Sequence, residues 1–159
     1  MTSFRQAALA ILLSAGAAGL AACSDQNDGP VDAATEGLAV RNARVVLAPV
    51  AGNPAAVYFD LSYSGDASAV LTDVAVEGAG MTMIHDYAEN AGKMQMIMAD
   101  DVTIVPGTPV IFAPGGLHVM AMQPAATLQA GSSANVTFTL SDGTRTVVTA
   151  PVRAAGEER

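Results

Sequence analysis

From Leu38 onward the chain reads as short stretches in which apolar and polar positions alternate. Val57, Phe59, Leu61 and Tyr63 interleave with Tyr58, Asp60 and Ser62, the two-residue period of a half-buried strand. Val70, Thr72, Val74 and Val76 alternate in the same way with Leu71, Asp73, Ala75 and Glu77, and Val136, Phe138 and Leu140 with Thr137 and Thr139. Gly65-Asp66 marks a turn. Asp142-Gly143 predicts a hairpin, after which Thr144 to Val152 returns as a strand. No part of this region keeps a 3.6-residue period. Strands at regular spacing without helices between them predict an all-β, antiparallel sandwich or barrel.

Before Leu38 the pattern is different. Residues 1–22 hold one early cation, Arg5, and then an apolar run from Ala7 to Ala22 interrupted by Ser14. That run is short for a membrane span and ends in small residues, so it reads as an export signal. It closes on Leu20-Ala21-Ala22-Cys23, which resembles the lipobox of bacterial lipoproteins, a resemblance implying that Cys23 is lipidated and begins the mature chain. Asp at the next position retains lipoproteins of that type in the inner membrane; Ser24 stands here, which points to the outer one. Residues 23–37 are polar and acidic after the cysteine and are expected to form a flexible tether. The stretch Ser24 to Gly37 would span about 20 Å as a random coil. The folded domain is then expected at 38–153, with a disordered tail at 154–159.

Cys23 is the single cysteine, which excludes an intrachain disulfide and, once lipidated, a thiolate ligand or nucleophile. Blue-copper electron transfer, which needs a thiolate, is disfavoured accordingly. Removing 22 residues from 159 leaves 137, enough for one domain with a core of its own. Six cations then face fifteen acids, a net charge near −9 that repels phosphate backbones and argues against nucleic acid. The chain lacks Trp, which argues against a base-stacking surface as well.

The chemistry concentrates in one window. All seven methionines beyond Met1 lie between Met81 and Met122, and so do both histidines, His85 and His118. Filler for a core would be scattered among the strands. Met81, Met83 and His85 are spaced by two, as are Met94, Met96 and Met98, and His118, Met120 and Met122. If each triplet is extended, its side chains share one face. Side chains two apart on a strand stand roughly 7 Å apart at Cβ, so His118 and Met120 form a plausible chelating pair. One strand cannot close a site, and further ligands must come from the other triplets. Thioether and imidazole together suit copper(I), a soft monovalent ion. Zinc would recruit Cys, more His or a carboxylate, and calcium or magnesium several oxygens.

The spacing His85-x10-Met96-x21-His118-x-Met120, with the segment Pro114-Gly115-Gly116-Leu117-His118-Val119-Met120, resembles the signature of the periplasmic copper chaperone family PCuAC. The similarity runs from about Leu38 to Val152. It implies a cupredoxin-like, immunoglobulin-like antiparallel β-sandwich that binds one copper(I) per chain through His85, Met96, His118 and Met120. It implies further that the ion passes to recipient proteins, notably in assembly of the cytochrome c oxidase copper centre. Two His and two Met form a neutral ligand set. Many family members carry Met directly after the first His, where this chain has Asp86, which either lends a carboxylate to the site or faces solvent. The family's Met- and His-rich tail, present in some members, has no counterpart in the closing AAGEER.

Met81, Met83, Met94, Met98 and Met122 fall outside the signature; some of them are expected as an apolar collar around the ion and none as a ligand. Gly115 and Gly116 are expected to shape the turn that presents His118. Ser132, Ser133 and the histidines form no nucleophile–base pattern, so an enzyme is not expected. Three readings follow from these features: a monomeric periplasmic copper(I) carrier on a lipid anchor, a structural or docking β-sandwich with a Met-rich interaction face, and, weakest, an electron-transfer copper protein.

Overall fold

The computed structural model describes residues 31–99 and 101–157. The expected export signal, Cys23 and residues 24–30 of the expected tether lie outside them, as do Asp100 and residues 158–159. The described residues form eleven strands: β1 (Val31–Thr35), β2 (Leu38–Val46), β3 (Ala55–Tyr63), β4 (Ala69–Val76), β5 (Met81–Asn90), β6 (Lys93–Met98), β7 (Val102–Ile104), β8 (Val110–Phe112), β9 (His118–Met122), β10 (Ser133–Leu140) and β11 (Arg145–Arg153). The fold is all-β and cupredoxin-like.

Alternation of side chains builds the core. Val57, Phe59 and Leu61 of β3 face Val136, Phe138 and Leu140 of β10, all buried. Phe59 stacks on Phe112 with ring centroids 4.1 Å apart and meets the edge of Phe138 at 4.8 Å, so three aromatic rings lock the two layers together. The Asp142-Gly143 turn forms as expected. Gly143 sits at φ 87° and the Asp142 carboxylate accepts the Thr144 N–H at 2.8 Å.

Strand order runs β6-β5-β9-β3-β2-β11-β10-β4-β7, with β1 added on β2 and β8 on β3. One layer carries β6, β5, β9, β3 and β2; the other carries β10, β4 and β7. Strand β11 belongs to both. Its first part pairs antiparallel with β10, and Val152 and Arg153 then pair parallel with Val45 and Val46 of β2. The expected antiparallel sandwich forms with one departure: the sheet is mixed, because the last strand crosses from one layer to the other and meets β2 running the same way.

Three further expectations change. The strict alternation across Val70–Glu77 breaks at Thr72. Thr139 pairs with Asp73 but Leu140 with Leu71, a bulge that turns both Leu71 and Val74 inward and leaves the Thr72 hydroxyl to donate to the Thr139 carbonyl at 3.2 Å. Part of the expected tether is strand, since Val31–Thr35 pairs with Leu38–Arg41 across Glu36-Gly37, both at positive φ. The expected tail is folded as far as Glu157, whose carboxylate accepts the Ala154 N–H at 3.0 Å and whose N–H returns to the Ala154 carbonyl.

Candidate metal centre

The three Met/His triplets lie on β5, β6 and β9, which are neighbours at one end of the strand order. The core-facing positions are the even-numbered ones in β5 and the odd-numbered ones in β9. Ile84, Val119 and Ala121 are buried, while Met81, Met83, His85, His118, Met120 and Met122 take the alternate positions. Antiparallel pairing sets them opposite one another: His85 against His118, Met83 against Met120, Met81 against Met122. Directly opposed residues share a face and stand about 5 Å apart at Cβ.

Strand β6 joins through a hairpin. Asn90 pairs with Lys93 across Ala91-Gly92, both at positive φ (52° and 77°), the geometry of a two-residue type I′ turn. This register puts Met98 opposite His85 and Met96 opposite Tyr87. The sulfur that meets His85 is nevertheless the diagonal one: Met96 Sδ lies 3.1 Å from His85 Nδ1. Ten residues between His85 and Met96 are therefore what one tight hairpin requires to bring a diagonal pair into contact. As the first strand in the order, β6 pairs only with β5 along that order, and all six of its residues are exposed.

His118 is held differently. Strands β8 and β9 both pair with β3, Phe112 with Phe59 and Val119 with Val57, and Ala113–Leu117 leaves the sheet between them as a loop. The Ala113 N–H donates to the Leu117 carbonyl at 2.8 Å and closes that loop. Gly115 at its tip has φ 86°. His118 is the first residue after the loop, 4% exposed, and its Nδ1–H donates to the Gly116 carbonyl at 2.7 Å. A carbonyl can only accept, so Nδ1 carries the proton and the Nε2 lone pair is left for a ligand, the arrangement by which metal-binding histidines are oriented. The expected role of the glycine loop is thus visible in two parts: Gly115 supplies the bend and Gly116 the carbonyl.

Tyr87 completes the site and was not anticipated. Its ring stacks on His118 at 5.5 Å and 28°, while His85 meets His118 edge-on at 5.8 Å. Tyr87 sits two residues after His85 on the same face, so strand parity would have found it. Burial, and secondarily the charge of His118, holds the His85 imidazole below the ordinary histidine value. Asp86 points its carboxylate to the neighbouring Tyr87 N–H at 2.7 Å, on the alternate side of the strand from His85. Its carboxylate therefore does not join the imidazoles.

Of the expected ligands, the hairpin brings His85 and Met96 into contact, and the β5–β9 register places Met120 one pair along from His118. No group of three or more His, Cys, Asp or Glu side chains able to hold a metal occurs among the described residues. The donors on this face are imidazole nitrogen and thioether sulfur, a set suited to a soft ion and poor for a hard one. Met81, Met94, Met96 and Met98 on this face are each about half exposed or more.

No curated protein shows significant sequence similarity to the chain. Among solved structures, the copper-bound PCuAC domain from PmoF2 superposes with a TM-score of 0.64 at 20% identity, covering 77% of this chain and 97% of that one. The apo PCuAC domain from PmoF1 gives 0.62 at 25% identity over 74% and 93%. The copper(I) form of DR1885 from Deinococcus radiodurans gives 0.56 at 26% identity over 76% and 80%. Residues 38–152 match the LpqE-like family model, nearly the whole sandwich from β2 to β11. The chain, built on the fold of PCuAC domains, belongs to the LpqE-like family.

Proposed function

We propose that this protein is a periplasmic copper(I) carrier that binds one ion through His85, Met96, His118 and Met120 and hands it to recipient copper proteins. The observation that carries the reading is the meeting of Met96 Sδ with His85 Nδ1 at 3.1 Å, beside a His118 ring whose free nitrogen is fixed by the Gly116 carbonyl. Two solved neighbours with this fold are copper-bound, which supports the same cargo here. Neutral, partly exposed donors suit transfer: a recipient offering thiolates would draw the ion away. The resemblance to PCuAC proteins makes the copper centre of cytochrome c oxidase, or a factor that assembles it, the favoured recipient. Lipidation at Cys23 would keep a monomeric carrier at the membrane, on the outer one by the residue at position 24.

A second reading draws on the exposed Met81, Met94 and Met98, which would equally serve as an adaptable face for docking a protein. Anaerobic titration with copper(I) separates the two. Wild type should take one tightly held equivalent, and a Met96→Leu/Met120→Leu variant should lose it. Equal binding by both would sink the carrier reading and leave the docking face.

A further inference from the structure

Of the five methionines outside the four-donor site, the three on β5 and β9 are placed more specifically than a collar requires. Met81 opposes Met122 across β5 and β9, and Met83 opposes Met120 in the next pair, ahead of the His85–His118 pair. Two strands thus present a ladder of three successive pairs in which every outward side chain is a thioether or an imidazole. The face is not a core. Met81 is 54% exposed, and Met83 and Met122 are only partly covered, so apolar filling does not explain them. A solvent-facing strand face would ordinarily carry polar or β-branched residues, which cost less to expose.

From this ladder we propose a second copper(I) site, formed by the thioethers of Met81, Met83 and Met122, one step along the strands from the first. The proposal rests on copper(I) being the cargo of the neighbouring site. Opposed Cβ atoms about 5 Å apart and successive outward ones roughly 7 Å apart lie within the reach of unbranched methionine side chains onto a common ion. Three thioethers form a neutral, soft donor set that selects a soft monovalent ion over zinc, calcium or magnesium. Lacking imidazole, this site holds copper(I) more weakly than the first and fills after it. Its neighbour Met120 lies opposite Met83, so the two sites share a border, and an ion moves between them by exchanging one sulfur for another. The ladder therefore acts as an entry or exit step beside the tight site.

The test is anaerobic titration of the full protein with copper(I), followed through the ¹³C-labelled methyl groups of its methionines. The first equivalent should shift Met96 and Met120. The second should shift Met81, Met83 and Met122, and a Met81→Leu/Met83→Leu/Met122→Leu variant should lose the second event while keeping the first. Because these side chains are at least partly exposed and leucine is close in volume, the variant should fold, which an unchanged amide spectrum would verify. The proposal is overturned if those three methyls stay still at excess copper(I), if they move with the first equivalent, or if the second ion goes to Met94 and Met98. Failure of the four-donor reading is distinct: Met96 and Met120 would then be silent, whatever the ladder does.

Discussion

Gly115 and Gly116 are adjacent, identical and in the same loop, yet replacing each by alanine should have opposite results. At Gly115, φ is 86° and a Cβ would meet no atom within 4 Å, so the whole effect is backbone strain. Holding an L-residue in that left-handed region costs about 1–2 kcal/mol. The reduced freedom of the unfolded chain returns about 0.4–1 kcal/mol, which leaves a net loss of about 1 kcal/mol. At Gly116 no positive φ applies, and the nearest atom to an added Cβ is the Ala113 carbonyl oxygen at 3.9 Å, an ordinary contact. Only the unfolded-state term remains there, so Gly116→Ala should stabilise by up to about 1 kcal/mol. Urea unfolding of the two variants should then give midpoints on either side of wild type with equal slopes. Strain at Gly115 is relieved most easily by reshaping the loop, which moves the carbonyl that orients His118. Gly115→Ala should therefore also weaken copper(I) binding by about 10–100-fold, the usual scale for a lost orienting partner. A Gly116→Ala variant that is the less stable of the two, or a Gly115→Ala variant with wild-type stability and affinity, would refute the reasoning.

Met96→Leu should cost at least about tenfold in copper(I) affinity, since even groups outside the ligand shell are felt at that level; Met98→Leu, although directly opposite His85, should be indistinguishable from wild type in the same competition titration. Phe59→Ala removes the ring that stacks on Phe112 and meets Phe138 edge-on, and should destabilise by about 3–5 kcal/mol, read as a large drop in the urea midpoint. Burial and then the His118 charge lower the His85 pKa, so its ring signals in the metal-free protein should titrate below the ordinary value of about 6.5. The fold prefers the neutral form: His85 contributes stability above about 6.5 that is lost as pH falls through its folded value, and a His85 that titrates at or above 6.5 would contradict this. His118→Gln should move the His85 titration back toward the ordinary value, by the smaller of its two causes.

Much of the sandwich was legible because strand parity is a local property. Val57–Leu61 and Val136–Leu140 declare their buried faces in sequence, and the same parity places each Met/His triplet on a single face without knowledge of the partner strands. What parity cannot supply is partnership. The parallel contact of β11 with β2 joins residues about a hundred positions apart, and nothing local distinguishes it from an antiparallel one. The bulge at Thr72 was hidden because Leu71 and Val70 are both apolar, so either could be taken as inward. Strand β1 was hidden by its polar, acidic neighbours; it is held by pairing with β2 rather than by a pattern of its own. The site was partly deducible where it was missed. Ala91-Gly92 is a turn signal between two triplets, and counting outward from it sets Met96 diagonal to His85. Tyr87 offers no donor that a soft ion favours, so donor chemistry does not single it out; its contribution is to stack on the ring of His118.

Strand β6 forms one margin of the sheet, and Met96 rides on it. The four proposed donors would therefore be unequal in how quickly they let go. His118 and Met120 sit on β9, between β5 and β3, and His118 is clamped by a ring on one side and a carbonyl on the other. Met96 depends on the hydrogen bonds of a single hairpin. On the proposed carrier reading, fluctuation of that hairpin would detach a sulfur while both imidazoles stay in place, and would open one coordination position to an incoming thiolate. Exchange would then proceed through an ion never released to water, with the sheet margin setting the rate and the sheet interior setting the affinity.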